Sequence, residues 1–447
     1  MHYIIEESDE ILTTHSGLAL VGRLLGKTQL ASRLNAFDVP ERSYTTISNR
    51  GVAYSYLGLL CQGKSDFDHI EPFREDESFP DALGVAHVPS SPTLRQRLDL
   101  VAPDAKRRWQ RAILEESARL LRIINIPLTP IVLGEDKRTY LPLDIDVSPF
   151  DNSGTKKEGV SRTYKGCDGY APIFAYLEQE GYALNVELRT ESTHCQKGTA
   201  AFLVQSIRYA HEVSDIRPLV RMDAGNDSVE NLKVCRSEET AADFIIRKNL
   251  RKESPEAWLL TAQQHGTCEQ PREGKKVYRG ALMSPMKGLE KPVRMVFEVI
   301  ERTMLSDGQI LLIPQIEVSV YLTSLPDDPS VVIDVYHAHG TMEQFHSEIK
   351  TDLDLERLPS GKFATNDLVL HFGLLAHNLL RIMGQESLQE QDGPLRKKAQ
   401  RRRLRTVIQN LITLAAKMIK HARQMRLRLG RGNRWLPVFR RLYEAFG

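Results

Sequence analysis

No run of about 18 apolar residues occurs anywhere in the chain, so no segment is suited to spanning a bilayer. Cysteine is scarce. The five present (Cys61, Cys167, Cys195, Cys235 and Cys268) include no Cys-x-x-Cys pair, which excludes a zinc ribbon or a disulfide framework and leaves reduced thiols. Internal repeats and low-complexity tracts are missing, which argues against a solenoid or a flexible linker protein. The first residues, Met1 to Glu10, are acidic and lack the basic-then-apolar order of a secretory leader, so a cytoplasmic location is expected. A length of 447 residues with 41% hydrophobic and 26% charged content fits a globular protein of two or three domains.

The net charge of +2 conceals an asymmetry. Residues 391–447 carry 16 Lys/Arg against two acids, Asp392 and Glu444, a local charge of +14 that leaves −12 on the rest. A basic end on an acidic body points to a polyanionic partner. The clusters Arg396-Lys397-Lys398 and Arg401-Arg402-Arg403 are too dense to be neutralised by local i,i+4 acids, which favours nucleic acid.

Residues 1–125 read as helices. Pro89-Ser90-Ser91-Pro92-Thr93 is a capped helix start before Arg95 and Arg97, compatible with a helix-turn-helix reader of DNA. From residue 141 the period changes. Leu143-Asp144-Ile145-Asp146-Val147 alternates, so Asp144 and Asp146 share one face of a strand. Residues 170–178 and 183–189 read as two more strands, 198–213 as a helix and 217–222 as a strand ending on Asp223 before Gly225. A helix from Val229 and a strand at 243–246 follow. This order predicts an α/β sheet with helices on both faces. Residues 250–335 read as β-rich, with strands at 293–300, 309–314 and 316–322 and a β segment at 330–335. After Gly340 the period is helical. Met342, Phe345, Ile349 and Leu353 make one face, while His339, Glu343, His346 and Lys350 fall on the adjacent stripe.

Carboxylates from two strands and one helix that converge make an oxygen-rich cage suited to Mg²⁺ or Mn²⁺. Two such ions can activate an attacking oxygen and stabilise a leaving one in phosphoryl displacement. Glu343-x-x-His346 and Glu191-x-x-His194 also have the spacing of a di-iron pair, but the four-helix frame that such a site needs is absent from the pattern.

Taken together, these motifs resemble the D-D-E insertion-sequence transposases with a Tyr-x2-Arg-x3-Glu-x6-Lys signature. Tyr336, Glu343 and Lys350 match that spacing, and His339 stands in place of the Arg. Arg221-Met222-Asp223-Ala224-Gly225 and Leu143-Asp144-Ile145-Asp146 match the strands of the first two acids. Lys157-Glu158-Gly159, Gly169-Tyr170-Ala171-Pro172 and Gly17-Leu18-Ala19-Leu20-Val21 extend the likeness. The resemblance implies an α/β fold with a ribonuclease-H-like mixed-sheet catalytic core at 126–249 and 336–390. A β-rich insertion would occupy 250–335, a helical N-terminal DNA-binding domain 1–125 and a basic region 391–447. It also implies Asp146, Asp223 and Glu343 as metal-binding catalytic acids, with Asp144 the alternative to Asp146.

On the same footing, Tyr336 and Lys350 would contact DNA phosphates. His339 would either do the same or cap the helix entry. Trp258 would stack on a flipped base or belong to the core of the insertion, and Arg401, Arg402 and Arg403 would bind DNA through charge. The implied activity is Mg²⁺-dependent cleavage and strand transfer at the terminal inverted repeats of an insertion sequence, of cut-and-paste type, with Mn²⁺ able to substitute. The partners would be double-stranded DNA and a second copy in a synaptic homodimer, in a bacterial cytoplasm at the nucleoid. A transposase-derived DNA-binding protein without cleavage is the other reading.

Overall fold

The computed structural model describes residues 2–40, 45–163, 166–177, 179–190, 198–251, 253–390, 392–395, 399–421 and 424–447. Glu191, His194 and Cys195, and the cluster Arg396-Lys397-Lys398, lie outside the described residues.

One large mixed sheet organises the chain. Its central strand is β1 (Arg138–Val147), with β2 (Ile173–Leu177) and β3 (Tyr182–Glu187) following on one side in an antiparallel meander. On the other side β4 (Arg217–Met222) and β5 (Asp243–Arg247) run parallel to β1. Helices α1 (Thr199–Val213), between β3 and β4, and α2 (Val229–Arg236), between β4 and β5, supply the crossovers that parallel pairing requires. Both faces of the sheet are covered, so β2 and most of β1 and β4 are continuously buried instead of alternating. The 24-residue helix α3 (Phe363–Glu386) lies against β3 and is buried along nearly its whole length.

The expected β-rich segment is present, but it prolongs the same sheet. Strands β6 (Gly266–Arg272), β7 (Lys275–Ser284), β8 (Val293–Met304) and β9 (Ile310–Thr323) form an antiparallel run, and β9 joins the core by pairing with β5. The pieces read separately at 309–314 and 316–322 are one strand. Pro314 is tolerated there because β9 pairs with β5 only at its far end, over Tyr321, Leu322 and Thr323. Residues 330–335, read as β, are helical: α4 (Pro329–His337) starts where the Asp328 side chain accepts from the Ser330 N–H and Pro329 takes the first turn. That cap overrides the β-branched content of Val331, Val332, Ile333 and Val335.

The helices of residues 1–125 form, but they share one buried cluster that extends from Leu18 to Phe446. Arg97, placed by sequence on a DNA-reading helix, is 3% exposed and donates to Asn49 Oδ1 (3.0 Å) and the Ile47 carbonyl (3.2 Å). The two ends of the chain are joined. Strand Ile11–Thr13 pairs with β10 (Ala416–His421), which forms a hairpin with β11 (Gln424–Leu429). Beside this junction Gly17 N–H donates to the Ile412 carbonyl (3.2 Å), and a Cβ on Gly17 would meet the Leu411 carbonyl oxygen at 1.8 Å.

Gly17→Ala is therefore expected to lower stability by about 1–3 kcal/mol through overpacking against rigid backbone. Gly26→Ala, where a Cβ meets nothing within 4 Å, should not. Urea unfolding of the two variants beside wild type measures the difference, and equal midpoints would show that the junction yields.

Candidate functional site

The site is set by strand register. Between β1 and β4 the parallel pairing aligns Asp144 with Arg221 and Ile145 with Met222. One residue further, where pairing ends, the two chains carry Asp146 and Asp223 at the carboxyl ends of adjacent parallel strands. Crevices of α/β sheets open at such places.

The two aspartates of β1 have different surroundings. Asp144 is 1% exposed and spends both oxygens on Arg221, at 2.6 Å to Nε and 2.7 Å to Nη2. Arg221 also donates to the Val335 carbonyl at 2.7 Å. Burial opposes ionisation of Asp144, but the Arg221 guanidinium and His339 outweigh it and hold its pKa below the ordinary range. Asp146 is half-buried. One of its oxygens accepts the Val147 N–H (2.8 Å), and the other stands 3.4 Å from His346 Nε2.

Asp223 ends β4 as the cap of the turn Ala224–Asn226 and accepts from Asn226 Nδ2 at 2.7 Å. Burial first, and the charge of Asp146 second, push its pKa up, against donors at Asn226 and the Gly225 N–H. A Cβ at Gly225 would lie 3.3 Å from both Asp223 oxygens, so glycine leaves that carboxylate its room.

The third wall is the stretch from His339 to Asp352. It comprises a 3₁₀ turn Ala338–Thr341, α5 (Met342–Ser347) and a π turn Glu348–Asp352. Met342, Phe345, Ile349 and Leu353 are buried, as the periodicity required. From the adjacent stripe, His339 reaches within 3.4 Å of Asp144 and His346 within 3.4 Å of Asp146; both contacts are in ion-pair range but poorly aligned for hydrogen bonding. Burial lowers the His346 pKa more than Asp146 raises it, so the ring is held neutral. Burial also opposes charge on His339, but Asp144 prevails and raises its pKa. Sequence placed His346 on this stripe and weighed it only as half of a di-iron spacing that lacks its four-helix frame. The sign available was its spacing, seven residues after His339, which returns it to the same helix face.

Glu343 falls between these two histidines along the stripe and is exposed. It lines a cleft of about 330 Å³ with Gln344, Ser347, Glu348, Arg401 and Arg403. Among the described residues no three His, Cys, Asp or Glu side chains form a ready-made metal cage. Asp146 and Asp223 do meet the chemical requirement for a hard divalent cation. They are neighbouring carboxylates whose charges oppose each other, and among the described residues no Lys or Arg ion pair neutralises either of them.

Several residues expected to meet DNA are occupied inside the fold. Tyr336 is 8% exposed, with its ring stacked on His339 at 5.6 Å and tilted against Tyr321 at 4.7 Å. Lys350 donates to the Pro149 carbonyl at 2.6 Å and sits over the Phe150 ring. Trp258 takes the core alternative in this structure: its helix Pro255–His265 buries it against Phe297, and its indole N–H donates to Glu253 (2.9 Å). The reading of Arg401 and Arg403 as unneutralised cations is corrected. Arg401 pairs with Glu348 (3.2 Å) and Arg403 with Asp352 (2.9 Å), while Arg402 is buried over Trp435 and donates to Ser387. Their acids come from residues 348 and 352, about 50 positions upstream, which local spacing could not reveal.

A family model described as the transposase DDE domain group 1 matches residues 5–446. No curated protein matches. Among solved structures, the cryo-EM structure of the piggyBac transposase synaptic complex with hairpin DNA is similar over 90% of this chain and 82% of that one, at 11% identity and a TM-score of 0.45.

The acids differ in what they do for the fold, and stability can sort them. Arg221→Met strands the buried Asp144 charge and should cost about 3–5 kcal/mol. Asp223→Asn should instead raise the melting temperature of the metal-free protein at neutral pH. A carboxyl whose folded pKa is raised loses stability on ionising, and Asn removes that loss. Scanning calorimetry with a chelator present reads both signs, and a lower melting temperature for Asp223→Asn would contradict the like-charge picture.

Proposed function

The chain belongs to the transposase DDE domain group 1 family, and from that premise we propose that it binds the terminal inverted repeats of an insertion sequence and carries out metal-dependent DNA cleavage and strand transfer. The observation that carries this reading is the β1–β4 register, which brings Asp146 level with Asp223. The strand order supports a ribonuclease-H-like core: an antiparallel β3-β2-β1 followed by parallel β4 and β5. The core would comprise residues 126–249 and 336–390, with 250–335 as the insertion.

Asp146, Asp223 and Glu343 would hold the divalent metal, Mg²⁺ in the proposed reaction with Mn²⁺ able to substitute. When bound, it would polarise the scissile phosphate and lower the pKa of an attacking water or 3′-hydroxyl. The other residues prepare that place. Arg221 and Asp144 fix the register of the two strands, and His346, neutral and buried, backs Asp146 from the helix side. Gly225 and Asn226 hold the Asp223 carboxylate at the strand end. His339, whose pKa Asp144 raises, puts positive character beside the acids, where the related signature has an arginine.

For the polyanion, the exposed cations of the C-terminal region are better placed than Arg401–Arg403. Arg426 and Arg428 on β11, with Arg431, Arg434 and Arg440 beyond it, are exposed and have no ion pair among the described residues. Cut-and-paste movement needs both element ends held together, which a homodimer would supply. The exposed position of Glu343, outside any three-ligand group, favours a second reading: a DNA-binding protein of the same descent that does not cut.

Asp146→Asn, Asp223→Asn and Glu343→Gln are each expected to abolish Mg²⁺-dependent nicking of duplexes carrying the inverted repeats that flank the gene. Gel-shift affinity should stay near wild type, because affinity comes from phosphate contacts. Full cleavage by any one variant removes that residue from the site. No nicking by wild type in Mg²⁺ or Mn²⁺, with end binding intact, establishes the second reading.

A further inference from the structure

The segment at residues 400–405 is bound on two sides. On one side its backbone is tied to α3. Arg381 Nη1 donates to the Arg402 carbonyl (2.8 Å) and Gln385 Nε2 to the Gln400 carbonyl (3.1 Å), and the buried Arg402 anchors to Ser387 just past the helix end. On the other side, alternate arginines reach the stretch that carries Glu343. Arg401 donates to Glu348 Oε1 (3.2 Å) and to Gln344, and lies 4.5 Å over the Phe345 ring. Arg403 grips both oxygens of Asp352 (2.9 and 3.0 Å) and donates to Thr351 Oγ1 (3.1 Å). The Arg405 N–H adds a further bond to Asp352 at 3.1 Å. Glu348 is paired a second time, with the fully buried Arg381.

Glu348 and Asp352 are the two ends of the π turn that follows α5. A π turn is a poor helix by its own hydrogen bonds and persists where tertiary contacts hold it. Here both of its ends are held by guanidinium groups that the 400–405 segment brings or braces. Glu343 lies five residues before this anchor, its immediate neighbour Gln344 is held by Arg401, and it lines one cleft with Arg401 and Arg403.

We propose that residues 400–405 form a strap that sets the position of the Glu343 carboxylate relative to Asp146 and Asp223. Arg401 and Arg403 are then positioning residues acting through the helix, not DNA ligands. This rests on the reading of Glu343 as the third acid.

The test uses the full chain with Arg401→Met, which keeps the packing over Phe345, and with Arg403→Gln, Arg403→Lys and Glu343→Gln. Three quantities are read: affinity and its salt slope for the flanking inverted repeats, single-turnover cleavage at saturating protein, and Mn²⁺ affinity without DNA by electron paramagnetic resonance. For a displaced Glu343, cleavage should fall about tenfold to a hundredfold, in the range seen for small misplacements of reacting groups. Mn²⁺ binding should weaken in parallel, DNA affinity and salt slope should hold, and Arg403→Lys should recover part of both losses. Cleavage and Mn²⁺ affinity like wild type in Arg401→Met and Arg403→Gln overturn the strap. A flattened salt slope with unchanged Mn²⁺ affinity overturns it as well and makes the arginines DNA contacts. Should Arg401→Met fail to fold, Arg403→Gln decides, because that guanidinium is 49% exposed and Asp352 keeps Arg405. Wild-type cleavage by Glu343→Gln would refute the assignment of the third acid itself, which the strap variants alone would not do.

Discussion

The buried pair of Asp144 and Arg221 is the constraint on which the rest of the site depends. The two residues face each other across neighbouring parallel strands, and the forked contact is satisfied at one register only. A slip of one residue would turn every side chain of a strand to the other face and bury Asp146 or Asp223 without a partner. A pair this deep adds little net stability, since two charges must leave water to form it. Its contribution here is specification: with Asp144 locked to Arg221, the next step along both strands carries Asp146 to Asp223. The Arg221 bond to the Val335 carbonyl extends the same lock to α4, the helix that leads into the stretch bearing His339 and Glu343.

Charge accounting isolates this place from other buried acids. Glu348 has Arg381 and Arg401, Asp352 has Arg403 and Arg405, and Glu116 has Arg33 and Arg119. Asp223 has burial and a like charge against it, with Asn226, the Gly225 N–H and, less strongly, His339 in support. Asp146 has His346, which burial keeps neutral. Among the described residues neither Asp146 nor Asp223 has a Lys or Arg ion pair, unlike Glu348, Asp352 and Glu116. Under the proposed reading the missing cation is the divalent metal.

Those parts of the site governed by local rules were legible in the sequence. Alternation put Asp144 and Asp146 on one face, the turn at Gly225 ended β4 on Asp223, and helical spacing aligned His339, Glu343 and His346. The different surroundings of Asp144 and Asp146 came from the register, which links residues 77 apart in sequence. Residues 330–335 were misread because four β-branched residues outweighed the Asp328-Pro329 start, although a capping Asp followed by Pro is itself a local signal. Tyr336 and Trp258 illustrate a different limit. An aromatic residue in a functional motif and one in a core have the same sequence appearance, and both of these are buried in the fold.

The basic end of the chain shows why composition and assignment are separate steps. Density of Lys/Arg in residues 391–447 is a fact of composition, and local pairing cannot neutralise it. From there to "free for a polyanion" requires that no distant acid be folded against it, and for Arg401 and Arg403 that condition fails. Among the described residues it holds for Arg426 and Arg428, which lie on β11 at the outer edge of the small sheet Ile11–Thr13, β10, β11. Basic side chains on an edge strand discourage pairing with another sheet and leave a row of positive charge facing solvent. The charge asymmetry therefore divides into two jobs. Arg401 and Arg403 pair with acids of the stretch that carries Glu343 and Arg441 pairs with Asp392, whereas Arg426, Arg428, Arg431, Arg434 and Arg440 are exposed. A nucleic-acid partner that reads this end of the chain by charge has those side chains to meet.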